Sequence, residues 1–111
     1  MNINSLERML ERGRDDALLR YGLGQAYLNA GEAARAAEHL KAAVAHKPDY
    51  SAAWKLLGKA YAEVEDLDAA MTAFDTGMAN AEKAGDLQAV KEMRVFRRRA
   101  ERAKAKRDEQ A

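Results

Sequence analysis

Shifted by 34 residues, this sequence matches itself. Aligning residues 15–48 on 49–82 gives seven identities: Asp15/Asp49, Leu23/Leu57, Gly24/Gly58, Ala26/Ala60, Tyr27/Tyr61, Ala36/Ala70 and Ala45/Ala79. The run Leu-Gly-x-Ala-Tyr occurs twice, at Leu23 to Tyr27 and at Leu57 to Tyr61. A period of this length marks an array in which no unit buries its apolar face alone, so the units must stack.

Each copy reads as two helices. Leu19, Leu23, Ala26, Tyr27 and Ala30 recur at helical spacing, Gly31 interrupts, and Ala33, Ala36, Ala37, Leu40, Ala43 and Val44 form a second stripe. The second copy repeats this with Ala53, Leu57, Ala60, Tyr61 and Val64, then Leu67, Ala70, Met71, Phe74 and Met78. Asp49, Asp66 and Asp86 stand where N-caps are wanted, and Asn4 with Glu7 reads as a capping box. A glycine inside a helix costs about 1 kcal/mol relative to alanine, so Gly24 and Gly58 need an offsetting gain. Close helix approach supplies it if Ala36 and Ala70 face them, with Tyr27 and Tyr61 covering the contact.

Trp54-x-x-Leu57-Gly58-x-x-Tyr61, followed by Ala70 and Phe74, resembles the tetratricopeptide repeat, and Leu23, Gly24, Tyr27, Ala36, Ala43 and Pro48 carry the same likeness in the first copy. Arg20, Leu40, Gly77 and Glu82 depart from the family pattern, which has tryptophan, phenylalanine, alanine and proline there. The missing proline predicts a longer helix through Met78 and Ala81. At the N-terminus, Leu6, Met9 and Leu10 fall in register with Leu40, Ala43 and Val44, as in the second helix of a missing repeat. After Gly85, Leu87, Val90, Met93 and Phe96 form the apolar side of a closing helix.

The resemblance implies an all-α, helix-turn-helix solenoid in one domain: an N-terminal helix in 1–14, repeats at 15–48 and 49–82, a basic closing helix in 83–107 and a tail, 108–111. Six antiparallel-packed helices are expected near 4–12, 16–30, 33–46, 50–64, 67–83 and 86–105. Beyond about residue 103 the apolar spacing has stopped, and fraying is expected.

Composition narrows the function. No cysteine is present, which excludes disulfides and thiol chemistry, and no run approaches the roughly 20 apolar residues of a membrane span. A cytoplasmic location is the default expectation. His39 and His46, about 10 Å apart along a helix, are too distant to share a metal. Ser5 and Ser51 lie near helix starts with no histidine placed to activate them, and Gly22-Leu23-Gly24 lacks the preceding strand and third glycine of a dinucleotide loop. Neither catalytic residues nor a cofactor or metal site is expected.

The expected function is a non-catalytic scaffold that binds a peptide or partner protein. In the family, the first helix of each repeat lines a concave groove. Carried over, that face holds Leu18, Tyr21, Gln25 and Leu28, then Ala52, Lys55, Lys59 and Ala62, with Met93, Phe96 and Arg97 as a third wall. Apolar residues beside lysines suit an acidic, amphipathic partner. Charge is also uneven: residues 1–90 carry ten Lys/Arg against fourteen Asp/Glu, whereas 91–107 carry nine against two. The alternative is therefore nucleic-acid or anionic-surface binding through Arg97, Arg98, Arg99 and Arg102; self-association is a third reading.

Overall fold

The computed structural model describes residues 2–111. Six helices follow one another: α1 (Ile3–Glu11), α2 (Ala17–Asn29), α3 (Ala33–His46), α4 (Ser51–Glu63), α5 (Leu67–Lys83) and α6 (Leu87–Gln110). Helix α2 packs on α3, α3 on α4, α4 on α5 and α5 on α6, while α1 packs on α2. The fold is all-α, and its helix order is the one the sequence predicts. Helix α4 also approaches α2 and α6, whereas α3 and α5 stand apart. The array therefore curves, with α2, α4 and α6 inside and α3 and α5 outside.

Local chemistry sets the helix ends. The carboxylates of Asp16, Asp66 and Asp86 accept from the backbone N–H of Leu19, Ala69 and Ala89 at 2.7, 3.3 and 3.0 Å. Two expected caps lie elsewhere. Asn2, not Asn4, caps α1 by accepting from the Ser5 N–H at 2.8 Å, and Asn4 lies inside the helix. Tyr50, not Asp49, precedes α4 and offers no side-chain cap. The proline-free end of α5 carries the helix to Lys83, giving it 17 residues against 14 in α3. Helix α6 runs on to Gln110, past the predicted fraying point, and Lys104 reaches back to Asp68 on α5 at 2.7 Å.

After α2, the Gly31 N–H bonds to the Leu28 carbonyl and the Glu32 N–H to that of Tyr27; Glu65 and Asp66 repeat the pattern on Ala62 and Tyr61 after α4. The turn needs a left-handed residue. Gly31 supplies it at φ 78°, but Glu65 is forced to φ 63° despite its side chain. Glu65→Gly is expected to stabilise the chain by about 0.5–1 kcal/mol, raising the thermal midpoint. An unchanged or lower midpoint would show that this turn carries no strain.

The helix glycines make room for large residues, which corrects the expected pairing with Ala36 and Ala70. A Cβ on Gly24 would collide with Leu40, and one on Gly58 would lie 2.5 Å from the Phe74 ring. Gly77 does the same between α4 and α6, where a Cβ would stand 2.6 Å from Met93 Sδ and 3.0 Å from Trp54 Cβ. Leu40, Phe74 and Met93, with Leu23, are thus the largest fully buried side chains among the described residues. Ala36 and Ala70, one turn earlier than Leu40 and Phe74, are themselves completely buried.

Polar bonds fasten the seams. The Trp54 indole and the Asn80 amide both donate to the Pro48 carbonyl, at 2.8 and 3.2 Å, tying α4 and α5 to the link between repeats. At the other end, Glu7 of α1 accepts from the Tyr27 hydroxyl at 2.7 Å and faces His39 Nε2 at 3.5 Å. Arg20 donates to His39 Nδ1 at 3.0 Å, so His39 carries its proton on Nε2. Arg20 and His46 also hold Asp15, whose carboxyl is kept well below the usual range by those hydrogen bonds. The two histidines are seam residues with separate carboxylate partners.

Burial lowers the His39 pKa below its usual value, with Arg20 adding to the shift while Glu7, Glu38 and Asp15 oppose it. A histidine that protonates less readily when folded favours the folded state above its unfolded pKa, and that contribution is lost as pH falls. Unfolding free energy is therefore expected to decline from pH 7 towards pH 5, a window in which Asp15 stays charged. His39→Gln should flatten this decline. A variant with the wild-type slope in pH-dependent denaturant melts would place the titration on another group.

Candidate functional site

The inner face formed by α2, α4 and α6 does not present one continuous strip of the expected groove residues. Leu18, Tyr21 and Gln25 line a cleft of about 450 Å3 against Leu6 and Met9 of α1. Leu18 is 64 % exposed, whereas Tyr21 is half-buried and stacks on Tyr50 with ring centroids 5.0 Å apart. Leu28 is half-buried and packs on the core. Further along, Lys55 reaches Glu92 of α6 at 3.1 Å, so this lysine is committed to an ion pair between helices.

At the far end, Lys59 Nζ stands 5.0 Å from the centre of the Phe96 ring, and the Arg99 guanidinium sits 5.6 Å from the same centre. These three residues border a notch of about 310 Å3 whose lining is apolar at Ala62, Leu67, Phe74, Ala100 and Ala103 and includes one carboxylate, Glu63. Phe96 stacks on Phe74 beneath it, at 6.0 Å, so its ring is held by the core. Among the described residues neither Lys59 nor Arg99 has a carboxylate partner. The hollow is thus open and mostly apolar, with two cations that have no carboxylate partner at its rim and Glu63 beside them.

Two of the expected groove residues belong elsewhere. Met93 is fully buried beneath Gly77, because the extra length of α5 moves α6 out of the 34-residue register that aligned Met93 with Gln25 and Lys59. Arg97 turns to α5, bonding Asp75 at 2.6 Å and Glu101 at 3.2 Å, so it lies outside both the notch and the free basic patch. Conversely, Arg99 stands in the notch although the sequence reading grouped it with the basic patch. Its helical offset of three from Phe96 was the available signal. Among the described residues no group of three or more His, Asp and Glu side chains is spaced to hold a metal ion, and no helix is long and apolar enough to cross a membrane.

Paired antiparallel helices stacked into a curved array, with an open inner face, define a helical-repeat protein. More specifically, the chain belongs to the tetratricopeptide-repeat family: a tetratricopeptide repeat model matches residues 3–50 and 21–86. A curated relative, TPR repeat-containing protein PA0015 of Pseudomonas aeruginosa, is 55 % identical over 104 residues, covering 94 % of this chain and 99 % of the relative. Among solved structures, protein BPP2914 of Bordetella parapertussis is 43 % identical, with a TM-score of 0.78 over 93 % of this chain and 90 % of that one. The TPR2B domain of yeast Sti1, solved in complex with pHsp70, shares only 15 % identity but superposes with a TM-score of 0.84 over 91 % of this chain and 81 % of that one. Proteins of this family are generally non-catalytic and mediate protein–protein interaction.

Proposed function

We propose that this chain is a non-catalytic interaction module that docks an acidic, amphipathic peptide segment of a partner protein on its inner face. The observation that carries this reading is the notch bordered by Lys59, Phe96 and Arg99. An aliphatic or aromatic side chain of the partner enters it, while neighbouring carboxylates meet Lys59 and Arg99. Leu18, Tyr21 and Gln25 extend the contact along α2, with the Lys55–Glu92 ion pair between the two regions. A preformed hollow loses little side-chain freedom on binding, and the Phe96 ring is already fixed by Phe74.

Amide NMR titration tests the reading with three synthetic peptides: glutamates surrounding one phenylalanine, the same with alanine for phenylalanine, and lysines surrounding phenylalanine. The first is expected to perturb Lys59, Ala62, Phe96, Arg99 and Ala103 selectively. Equal perturbation by all three, or shifts centred on α3 and α5, would contradict it.

A further inference from the structure

The nine cations of α6 have different surroundings. Those directed at the body are neutralised: Arg97 meets Asp75 and Glu101, and Lys104 meets Asp68. Both carboxylates in the middle of the helix are likewise engaged, Glu92 with Lys55 and Glu101 with Arg97. Arg99 turns to the notch and Arg107 meets Asp108, which leaves a row of Lys91, Arg94, Arg98, Arg102 and Lys106, at spacings of three, four, four and four residues. All five are exposed, and among the described residues none has a carboxylate partner.

At about 100° per residue this row follows one side of α6 for about 22 Å, with a cation roughly every 6 Å. The side turned the other way holds Val90, Met93 and Ala100, which are buried. The notch residues Phe96 and Ala103 also lie off the row, so the two surfaces share a helix without sharing a face. An exposed helix face that serves only as a solvated cover gains from alternating signs, because like charges four apart destabilise a helix. This face is of one sign from Lys91 to Lys106.

We infer that this outer face of α6 binds the phosphate backbone of a nucleic-acid duplex, without reading its sequence. Three of the five cations are arginines, whose planar guanidinium matches phosphate oxygens in pairs. The row contains no aromatic ring on which an unpaired base would stack, which favours a duplex over a single strand. Its only apolar neighbours on that side are Leu87, Val95 and Ala105, too little to bury into a bilayer. Nor is there an aromatic anchor of the kind that dominates a protein interface. The straight, convex shape of a single helix lets successive side chains reach successive phosphates.

The test is fluorescence anisotropy on the full chain with labelled DNA and RNA duplexes of about 20 base pairs, titrated in salt from about 20 to 200 mM. Binding to either duplex is expected at the low end, with a log–log salt slope of about −4.5 for five phosphate contacts. Arg94→Gln, Arg98→Gln and Arg102→Gln together should lower low-salt affinity more than tenfold and reduce the slope by about 3. A charge-matched control, Arg8→Gln, Arg12→Gln and Lys41→Gln, alters exposed cations away from α6 and should bind like wild type. Circular dichroism establishes that both triple variants are folded. Absence of duplex binding at the lowest salt, equal losses in the two triple variants, preference for single strands, or binding only to phosphatidylserine vesicles would each overturn the inference.

Discussion

Phe74→Ala is expected to remove about 3–5 kcal/mol of folding stability, a large part of what a chain of this size possesses. Phe74 is 1 % exposed and joins three elements: it fills the space opened by Gly58 on α4, belongs to α5, and stacks on Phe96 of α6. Truncation leaves a cavity that rigid neighbours do not close. The pairing with Gly58 makes a sharper expectation. In the wild-type chain Gly58→Ala places a methyl group 2.5 Å from the Phe74 ring and should destabilise, by about 1–3 kcal/mol, despite the better helix propensity of alanine. In the Phe74→Ala background that collision is gone, so the same substitution should stabilise by up to about 1 kcal/mol. Gly58→Leu should cost at least as much as Gly58→Ala in the wild-type chain. Denaturant melts of the four members of the cycle measure this directly, and a Gly58→Ala effect of the same sign in both backgrounds would remove the packing explanation.

The second large expected effect concerns binding. Lys59→Glu with Arg99→Glu reverses both charges beside the Phe96 ring and should slow association with an acidic partner segment by more than tenfold at low salt. The effect should shrink as salt rises, because it acts through long-range steering as well as contact. Lys55→Glu is a useful comparison: it breaks the pairing with Glu92 and sets two carboxylates facing each other across α4 and α6, so any loss it causes includes a structural cost. Lys59 and Arg99 have no such ion pair to lose. A double variant that is folded by circular dichroism yet associates at the wild-type rate would sever this pair of cations from recognition.

The 34-residue period made the architecture readable because most of its matches, though not the exposed Asp15/Asp49 and Ala45/Ala79, mark places where neighbouring helices touch. Leu23, Gly24 and Tyr27 recur as Leu57, Gly58 and Tyr61 since both repeats face the same packing problem. What filled the glycine gaps was less legible. Ala36 and Leu40 lie four apart on one helix face, and a one-turn shift decides which of them meets Gly24. The register of the third unit was hidden for a different reason. The 17-residue α5 moves α6 relative to the preceding repeats, so extending the period put Met93 in the groove when its side chain belongs to the core. The ion pairs Lys55–Glu92 and Arg97–Asp75 join residues 37 and 22 positions apart, and no local pattern announces such contacts. They account for why two cations expected on a binding surface are spent on holding helices together.

Site-specific photo-crosslinking in cells tests the inner face as the docking surface most directly. A photoreactive residue replaces Ala62 or Ala103 in the notch, or Lys41 on the outer side of the array, each with and without Lys59→Glu and Arg99→Glu. The expected result is a discrete crosslinked partner from both notch positions, strongly reduced by the charge reversal, and none of that species from Lys41. The same partner captured equally from Lys41, or from the notch irrespective of the charge reversal, would contradict docking through Lys59, Phe96 and Arg99.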